Sequence, residues 1–486
     1  MLKVLLINPP QKYYKKSSGF NLYVPLGLLM VGTVVKNLCN LKILDCLITD
    51  CEKMIKDDYV IYGTPLDKIE LIIREFNPDI VGITVPFTTQ AEMAQIVGRL
   101  CKKVNPKLTL VFGGPDVSVR YETFLNQGIC DYCVIGEGED TFRQFIENYG
   151  SDYLLMNVAG LAFKRGETIY FTPRKYQENL DQYPYPAYQL LDLESYLKSD
   201  YLYSNRSNIG KNSISIITSR GCPYNCIFCS IKLHMGNKFR AHSPEYVIGH
   251  LEHIIKTYKI NNFHFEDDNF SFDPVRFEKI LDEIIKLDLQ IKWDTPNGIR
   301  ADSLNKSLLK KIKQSGCVEL TIAIESGNQK VLNNIIKKKI SLNKVLSVIK
   351  ECLNLDIKLN AFYVIGFPGE TVENIKETLD LALELYQRYQ VNPFVFFATP
   401  LYGTDLYNLC IQEGIITHDL TEQELSTGTF IYGDPVIFTK DFSKKEIKKL
   451  VFNYLLALKQ ISDSNNVINY YKKAKDDFIN RSIFGG

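Results

Sequence analysis

The hydrophobic positions of the first 150 residues form short apolar runs with helical patterns between them. The apolar runs lie at 3–7, 43–44, 79–84, 108–112 and 132–135. Runs of this length predict buried strands, whereas the 3.6-residue period of segments such as 25–36 and 89–104 predicts helices. Strands that alternate with helices are typical of a parallel sheet covered on both faces. We therefore predict an α/β fold that begins with a Rossmann-like, doubly wound parallel sheet over residues 1–150.

The same alternation returns over residues 213–410, after a connector at 151–212 that is rich in turn residues. The apolar runs of this second region end near 218, 265, 300, 325, 366 and 400. The last region, 411–486, contains one clear amphipathic helix, and Ser443 and Glu446 match a capping box at its start. We expect a helical C-terminal tail whose apolar face docks on the core.

Composition and charge narrow the range of partners. The chain has 486 residues, enough for two or three domains, and a net charge of +1, which argues against nucleic acid or an anionic membrane as a bulk partner. No apolar stretch is long enough for a membrane span, and the run Leu2–Ile7 is too short for a signal peptide. We therefore expect a cytoplasmic protein, in which the twelve cysteines serve metal binding or ordinary burial. The three lysines at 337–339 are expected to be solvated.

The strongest chemical signal is a group of three cysteines, Cys222, Cys226 and Cys229, with the spacing Cys-x3-Cys-x2-Cys. Three thiolates so spaced can bind one cubane 4Fe–4S cluster and leave one iron open. An open metal position is typical of catalysis, whereas a saturated site is typical of a structural metal. The spacing therefore predicts a catalytic iron–sulfur cluster.

Other interpretations of the cysteines are less favoured. A structural zinc ion would need a fourth ligand such as His234 or His242. A disulfide is disfavoured by the expected cytoplasmic location. The second pair, Cys130 and Cys133, borders an apolar run. We interpret this pair as strand and turn residues, and a redox role is the weaker alternative.

The cysteine motif resembles the signature of the radical S-adenosylmethionine (SAM) superfamily. The Arg-Gly lead-in to Cys222 and the aromatic Phe228 before the third cysteine both match that pattern. The resemblance implies a partial (β/α)6 TIM-type barrel over residues 213–410. It also implies that the amino and carboxylate groups of SAM bind the open iron.

The resemblance extends to SAM-binding positions at the ends of the predicted strands. They are Phe228, Glu266, Asp267, Arg300, Glu325, Ile365 and Gly366. By analogy, the acidic pair contacts the SAM amino group, Arg300 the carboxylate, Glu325 the ribose, and Ile365-Gly366 and Phe228 the adenine. Carboxylates accept from ammonium and hydroxyl groups, and a guanidinium pairs with a carboxylate. The alternatives are a solvated turn or helix cap for the acidic pair and a surface salt bridge for Arg300.

Residues 1–150 resemble the cobalamin-binding domain that precedes many radical SAM domains. The residues that carry this resemblance lie in polar or glycine-rich loops after the predicted strands, where ligands of doubly wound sheets bind. We expect the cobalamin contacts at Asn8, Pro9, Thr84, Pro86, Gly113, Gly114, Gly136, Glu137 and Gly138.

One departure concerns cobalt. Domains that ligate cobalt from below carry Asp-x-His-x-x-Gly, and the corresponding residues here, 45–50, contain neither the His nor the Gly. Two alternatives stay open: the domain binds cobalamin without a protein histidine on cobalt, or it has lost cobalamin binding.

Together the two halves resemble class B radical SAM methyltransferases and anaerobic Mg-protoporphyrin monomethyl ester cyclase-like proteins. The resemblance implies a 5′-deoxyadenosyl radical, methyl transfer from cobalamin to an unactivated carbon, and an electron donor such as flavodoxin or ferredoxin. The alternatives are a radical cyclisation or rearrangement without methyl transfer, a cobalamin-free radical SAM enzyme, and a non-enzymatic sensor. The substrate class stays open among small molecules, peptides and lipids.

Overall fold

The structure is a computed structural model that describes residues 1–15, 17, 20–202, 209–210 and 212–464. The chain forms two compact units, of which the first holds residues 1–15, 20–202 and 230–242 and the second holds 209–210, 212–229 and 243–464. The division into four regions at 150, 212 and 410 stays a prediction, and residues 465–486 of the expected helical tail lie outside the described residues.

The described elements are mixed α/β. The strands are β1 Lys3–Asn8, β2 Gln11–Tyr14, β3 Asn40–Asp45, β4 Glu52–Ile55, β5 Tyr59–Gly63, β6 Ile80–Thr84, β7 Thr109–Gly113, β8 Tyr132–Val134, β9 Leu161–Arg165, β10 Thr168–Phe171, β11 Ser213–Ile216, β12 Ser219–Arg220, β13 Arg240–Ala241, β14 Asn262–Phe265, β15 Lys292–Ile299, β16 Cys317–Glu325, β17 Lys358–Ile365 and β18 Asn392–Phe397. The helices are α1 Leu26–Val35, α2 Leu66–Phe76, α3 Ala91–Val104, α4 Pro115–Asn126, α5 Gly138–Glu147, α6 Asp152–Leu155, α7 Leu193–Lys198, α8 Ile231–His234, α9 Pro244–Tyr258, α10 Pro274–Lys286, α11 Lys306–Gln314, α12 Leu342–Asn354, α13 Val372–Tyr389, α14 Asp405–Gln412, α15 Glu422–Thr429 and α16 Lys444–Ser464. A π-helical turn spans Val331–Ile335, and 3₁₀ turns span Thr88–Gln90, Leu180–Gln182, Tyr188–Leu190 and Ala301–Ser303.

The first unit is built on a seven-stranded sheet in the order β10-β9-β8-β7-β6-β1-β3. Strands β3, β1, β6, β7 and β8 are parallel, which confirms the predicted Rossmann-like arrangement. The chain order reverses between β1 and β6, and doubly wound sheets bind ligands at the carboxyl ends of the strands beside such a reversal. The loops after β1 and β6, which contain predicted cobalamin residues, therefore lie at the favoured position.

Two apolar layers cover the faces of this sheet. Alternate strand residues point to opposite faces, so that Leu5 and Val81 pack with α2 to α4 while Val4 and Ile80 pack with α1 and α5. The structure adds strands that the pattern did not predict. Strands β9 and β10, from the predicted connector, extend the sheet in antiparallel fashion, and β2, β5 and β4 form a separate small sheet.

The second unit is built on a six-stranded parallel sheet in the order β11-β14-β15-β16-β17-β18. Successive strands are neighbours, and one helix of the series α9 to α13 lies between each pair in the chain. Parallel neighbours require such crossovers. All six strands therefore end at the same edge of the sheet, as the sequence predicts.

The last described helix, α16, begins as the sequence predicts. The Ser443 backbone N–H donates to Glu446 Oε2 at 2.8 Å, and the Glu446 N–H donates to Ser443 Oγ at 3.3 Å, which is a capping box. The apolar face of α16, including Ile447, Val451 and Leu455, is buried, and α16 packs on α13. None of the helices in the described part of the chain is both long and apolar enough to cross a membrane.

Candidate functional site

The predicted SAM and cluster residues of the second unit lie at the carboxyl edge of its sheet. Glu266 and Asp267 follow β14, Arg300 follows β15, and Glu325 is the last residue of β16. Ile365 ends β17 and Gly366 follows it. The cysteine loop follows β11 and β12. Side chains that are distant in sequence thus share one edge, where the active sites of parallel α/β enzymes form.

The cysteine loop is irregular and half-buried. Within the described residues none of Cys222, Cys226 and Cys229 forms a disulfide, and the Cys229 N–H donates to the Cys226 carbonyl at 3.1 Å. The loop is held by Ile227, whose N–H donates to the Ile336 carbonyl at 3.2 Å and whose carbonyl accepts from the Leu406 N–H at 2.8 Å. Backbone bonds to two separate segments fix the loop without using a cysteine side chain.

Two cations lie near the thiols. Burial raises the pKa of Cys226, the charges of Lys338 and Arg300 lower it, and the negative charge of Glu325 raises it. Burial also raises the pKa of Cys222, and Arg300 opposes the rise there too. Positive charge in this place stabilises thiolates and would offset the negative charge of a thiolate-bound cluster.

The described residues contain no group of three or more His, Cys, Asp or Glu side chains placed to bind a single metal ion. This finding gives the zinc interpretation no support within the described chain, and His242 instead contacts Asp181 Oδ1 through Nδ1 at 3.0 Å. A cubane differs from a single ion because each thiolate binds a different iron, so the sulfurs stand further apart. Three half-buried cysteines on one loop beside two cations fit such a cluster.

Asp267 is occupied by the chain itself. Its carboxylate is buried and accepts from the Thr218 N–H at 3.2 and 3.1 Å, from Thr218 Oγ1 at 2.8 Å and from Ser219 Oγ. Arg276 donates to the Thr218 carbonyl and hydroxyl, each at 2.9 Å. Asp267 therefore fixes the backbone that leads into the cysteine loop, and its predicted contact with SAM stays a prediction.

Glu266 and Asn269, which lie close to Asp267 in the sequence, offer better acceptors than Asp267 for the amino group of SAM. Glu266 is half-buried and accepts from Ser215 Oγ at 3.1 Å. Asn269 is buried, with Nδ2 at 4.0 Å from Cys222 Sγ, and its Oδ1 atom has no hydrogen-bond donor among the described residues. A buried amide oxygen without a donor is costly, and an N–H of the SAM amino group would satisfy it. This orphaned oxygen fits SAM.

Arg300, Glu325 and Lys338 form one buried network. Lys338 Nζ donates to Glu325 Oε1 at 2.8 Å, and Arg300 Nη1 donates to the Lys338 carbonyl at 3.2 Å. Asp302 holds the Arg300 guanidinium at 3.0 and 2.7 Å, and that guanidinium lies 3.8 Å from the Tyr224 ring centroid. The expectation that the lysines at 337–339 are all solvated is wrong for Lys338, because it pairs with a buried carboxylate.

The end of β17 is stabilised by Glu370. Its Oε2 atom accepts from the Gly366 N–H at 2.7 Å and from the Phe367 N–H at 2.8 Å. The Phe367 ring lies 5.8 Å from the Phe228 ring, centroid to centroid. The two segments predicted to hold adenine are therefore neighbours, and Glu370 fixes the backbone of one of them.

The predicted cobalamin residues of the first unit also lie at strand ends. Asn8, Thr84 and Gly113 end β1, β6 and β7. Pro9, Pro86, Gly136 and Glu137 lie in loops that follow strands, and Gly138 is the first residue of α5. Gly114 has φ +114°, a conformation that favours glycine. A Cβ atom on Gly113 would make an ordinary van der Waals contact with Val134 at 3.6 Å.

Glu137 is used within the unit. It forms a buried ion pair with Arg240, whose Nη1 donates to Glu137 Oε2 at 3.0 Å. Arg240 also lies 4.7 Å from the Tyr176 ring centroid and donates to the Gln177 carbonyl at 3.0 Å. The predicted cobalamin contact of Glu137 stays a prediction. In the structure, Glu137 forms an ion pair that fixes the loop after β8.

The segment where other domains carry the cobalt histidine is also closed by internal contacts. Asp45 Oδ1 accepts from Asn8 Nδ2 and from the Leu47 N–H, both at 2.9 Å, and Tyr196 donates to Oδ2. Burial raises the pKa of Asp45 to about 6 despite these bonds. Leu47, at the position of the missing histidine, is buried. A cobalamin held here therefore fits only without a histidine ligand from this segment.

Several residues of this site carry no motif that reveals them. Lys338, Asn269 and Tyr224 take part in it through contacts with other segments of the chain, and Glu370 does so through bonds to Gly366 and Phe367, four and three residues before it. Two signals were available for them: Asn269 follows the acidic stretch directly, and Glu370 follows the predicted glycine-rich strand end.

Comparison with known families agrees with this geometry. The model of the Radical SAM superfamily matches residues 216–382, and that of the B12 binding domain matches residues 19–146. The first match implies a 4Fe–4S cluster and SAM as cofactors, and the second implies cobalamin.

Curated relatives span most of the chain. An uncharacterised methyltransferase of Pyrococcus horikoshii is 30% identical over 456 residues, 93% of this chain and 91% of that protein. Cytidylyl-2-hydroxyethylphosphonate methyltransferase of Streptomyces wedmorensis is 28% identical over 85% of this chain and 82% of its own. An anaerobic magnesium-protoporphyrin IX monomethyl ester cyclase of Rubrivivax gelatinosus is 24% identical over 65% of this chain and 56% of its own.

The fold is similar to that of a solved enzyme. The radical SAM methyltransferase TsrM from Kitasatospora setae, solved with cobalamin and a [4Fe-4S] cluster bound, has a TM-score of 0.66 and 15% identity over 86% of this chain and 79% of its own. This likeness shows the fold alone. The near-complete match to the Pyrococcus protein and the two domain matches show that the chain belongs to the cobalamin-binding radical SAM methyltransferase family.

Proposed function

We propose that this chain methylates an unactivated carbon atom of its substrate. The observation that carries the proposal is the juxtaposition, at one sheet edge, of three half-buried cysteines, the Arg300–Lys338–Glu325 network and the orphaned oxygen of Asn269. When bound, the cluster and SAM supply a 5′-deoxyadenosyl radical, and cobalamin supplies the methyl group. The residues of the chain bind and orient the cofactors and the substrate, and they exclude water from the site.

Cys222, Cys226 and Cys229 would hold the cluster and leave one iron open. The half-buried loop and its backbone bonds to Ile336 and Leu406 support this role. Because these bonds use no cysteine side chain, the loop keeps its shape while the thiolates bind iron.

Glu266 and Asn269 would accept from the N–H groups of the SAM amino group, and Arg300 would pair with the carboxylate. Glu325 would accept from the ribose hydroxyls, and Ile365, Gly366 and Phe228 would border the adenine. Asp267 would act through the Thr218–Ser219 backbone rather than on SAM, because its oxygens already accept from that segment.

The first unit would bind cobalamin at the loops named above, with no histidine from residues 45–50. The second unit's six-stranded sheet would curve into a partial barrel, as the order of its neighbouring strands favours. An external reductant such as flavodoxin or ferredoxin would supply the electron. The substrate stays open, since one relative is named for a cytidylyl phosphonate and another for a porphyrin ester.

The test begins with the full chain purified without oxygen, reconstituted with iron and sulfide, and mixed with hydroxocobalamin. We expect one 4Fe–4S cluster and one cobalamin per chain after desalting. Reductant and SAM should then yield 5′-deoxyadenosine in the wild type but not in Cys226→Ala. Iron without cobalt would contradict the cobalamin part of the proposal.

Methyl transfer is distinguished from cyclisation by its products. With extracts of the source cells as substrate, a methyltransferase yields S-adenosylhomocysteine and transfers label from methyl-labelled SAM to a product. A cyclase-like enzyme yields 5′-deoxyadenosine and methionine alone. Turnover with no label transferred would refute the methylation.

A further inference from the structure

The lysine run at 337–339 contains one buried residue between two exposed ones. Lys338 is 6% exposed, while Lys337 and Lys339 are exposed. Lys337 and Lys339 have φ values of +61° and +53°, which L residues seldom adopt. The segment follows the π-helical turn Val331–Ile335, a feature found often at functional sites. The backbone is therefore bent so that the middle lysine points inward.

The partner of Lys338 is Glu325. Both side chains are 6% exposed, and the ion pair measures 2.8 Å. Glu325 ends β16 with φ +68°, and strain of this kind persists where the surroundings fix the conformation. Burying a lysine is unfavourable unless it is paired, so this arrangement needs a reason.

The surroundings of the pair supply one. The Lys338 carbonyl accepts from Arg300 Nη1 at 3.2 Å, so the residue links the predicted carboxylate contact to the predicted ribose contact. Only one of the two Glu325 oxygens is bonded to Lys338. The charge of Lys338 also acts on Cys226. One side chain thus touches the carboxylate of Glu325 and lies near a predicted cluster ligand.

We propose that Lys338 is a positioning residue of the SAM site: it holds Glu325 Oε1 so that Oε2 faces the ribose, and it places a positive charge beside the cluster. The inference rests on the proposed function and deepens it. Removal of Lys338 would leave Glu325 buried without its cation and would remove positive charge near the cluster. A charge-assisted hydrogen bond of this kind corresponds to about a tenfold or larger change in affinity, and loss of the cation makes a cluster harder to reduce.

The experiment compares Lys338→Gln with Lys337→Gln and Lys339→Gln, which remove the same charge from the exposed neighbours. The full chain is reconstituted without oxygen, and iron content, the dissociation constant of SAM and the midpoint potential of the cluster are measured. We expect Lys338→Gln to bind SAM at least about tenfold more weakly and to have a more negative potential. Both controls should match the wild type.

Two further variants separate positioning from folding. Lys338→Arg keeps the charge and should restore most of the SAM affinity and the potential; if Lys338→Gln fails to load iron, this variant decides the question. If Lys338→Arg has normal iron content but restores neither the SAM affinity nor the midpoint potential, the proposal is wrong. The double variant Lys338→Gln/Glu325→Gln should bind SAM no more weakly than Glu325→Gln alone, because the lysine acts through Glu325, and losses that add across the two single variants would refute that route.

The result is separable from failure of the proposed function. If the wild type binds no SAM, the proposed function is wrong, whatever Lys338 does. If the wild type binds SAM and Lys338→Gln, fully loaded with iron, equals it in affinity and potential, only the role of Lys338 is wrong.

Discussion

Glu370 makes the stability of the second unit depend on pH in an unusual direction. The side chain is fully buried, Oε2 accepts two backbone N–H bonds, and Oε1 has no donor among the described residues. Burial raises the pKa of Glu370 from 4.5 to about 7, although the two N–H bonds oppose the rise. The folded protein therefore binds a proton on this group more tightly than the unfolded chain does.

The sign and size of the effect follow from proton linkage. Between about pH 4.5 and pH 7 the folded state holds more protons on Glu370 than the unfolded state, so the free energy of unfolding falls as the pH rises. At 1.36 kcal/mol for each pH unit, the whole rise corresponds to about 3 kcal/mol. About 2 kcal/mol of this lies between roughly pH 5.5 and pH 8.

The substitution Glu370→Gln removes the titration while keeping an oxygen that accepts both N–H bonds. We expect the stability of the wild type relative to Glu370→Gln to fall by about 2 kcal/mol between roughly pH 5.5 and pH 8. Urea unfolding is followed by the fluorescence of Trp293, because the chain has one tryptophan and it is buried on β15 of the same unit. Fluorescence therefore reports on this unit alone.

The control is Glu373→Gln, on an exposed glutamate in the first turn of α13. It should follow the pH dependence of the wild type. If Glu370→Gln and the wild type lose stability in parallel over this range, the buried carboxyl is not protonated in the folded state and the reasoning is wrong.

Three more predictions test other parts of the chain. Gly114→Ala should cost about 1–3 kcal/mol of stability, because Gly114 has a positive φ and a Cβ atom there would lie 2.7 Å from a carbonyl oxygen. Gly113→Ala should cost much less, and equal melting temperatures of the two variants would contradict this. Asp267→Ala should lower stability by about 3 kcal/mol and reduce iron loading, since it removes the bonds that fix the entry to the cysteine loop; unchanged iron content would show that the loop holds without them. Arg240→Gln should cost about 3–5 kcal/mol, measured by circular dichroism in urea, because Glu137 stays buried without its cation; a loss below about 1 kcal/mol would mean that water reaches the carboxylate.

The alternation of apolar runs and helical periods was sufficient to predict the two parallel sheets, and the apolar runs indicated where the strands end. Residues 262–265, for example, form the predicted strand β14. Such patterns are local, since the period of burial depends only on the geometry of a single element. The cysteine spacing is local as well, so the candidate cluster site was visible in the sequence.

Strands β9 and β10 were not predicted, because their short runs in the predicted connector become strands only when β9 pairs with β8 and β10 pairs with β9. Strand propensity depends on such context. Strands that form only through such pairing cannot be predicted from periodicity alone.

Lys338 shows the same limit within the site. Its sequence neighbours are two lysines that are exposed, and nothing in the run distinguishes the middle one. Its burial depends on its ion pair with Glu325, the last residue of β16. Asp267 and Glu137 likewise match motifs as ligand contacts, yet the structure gives both of them partners within the chain. The sequence by itself determined which chemistry the edge of the sheet offers. Only the tertiary structure decided which charged groups are already neutralised, because the pairing of buried charges is set by distances between segments that are far apart along the chain.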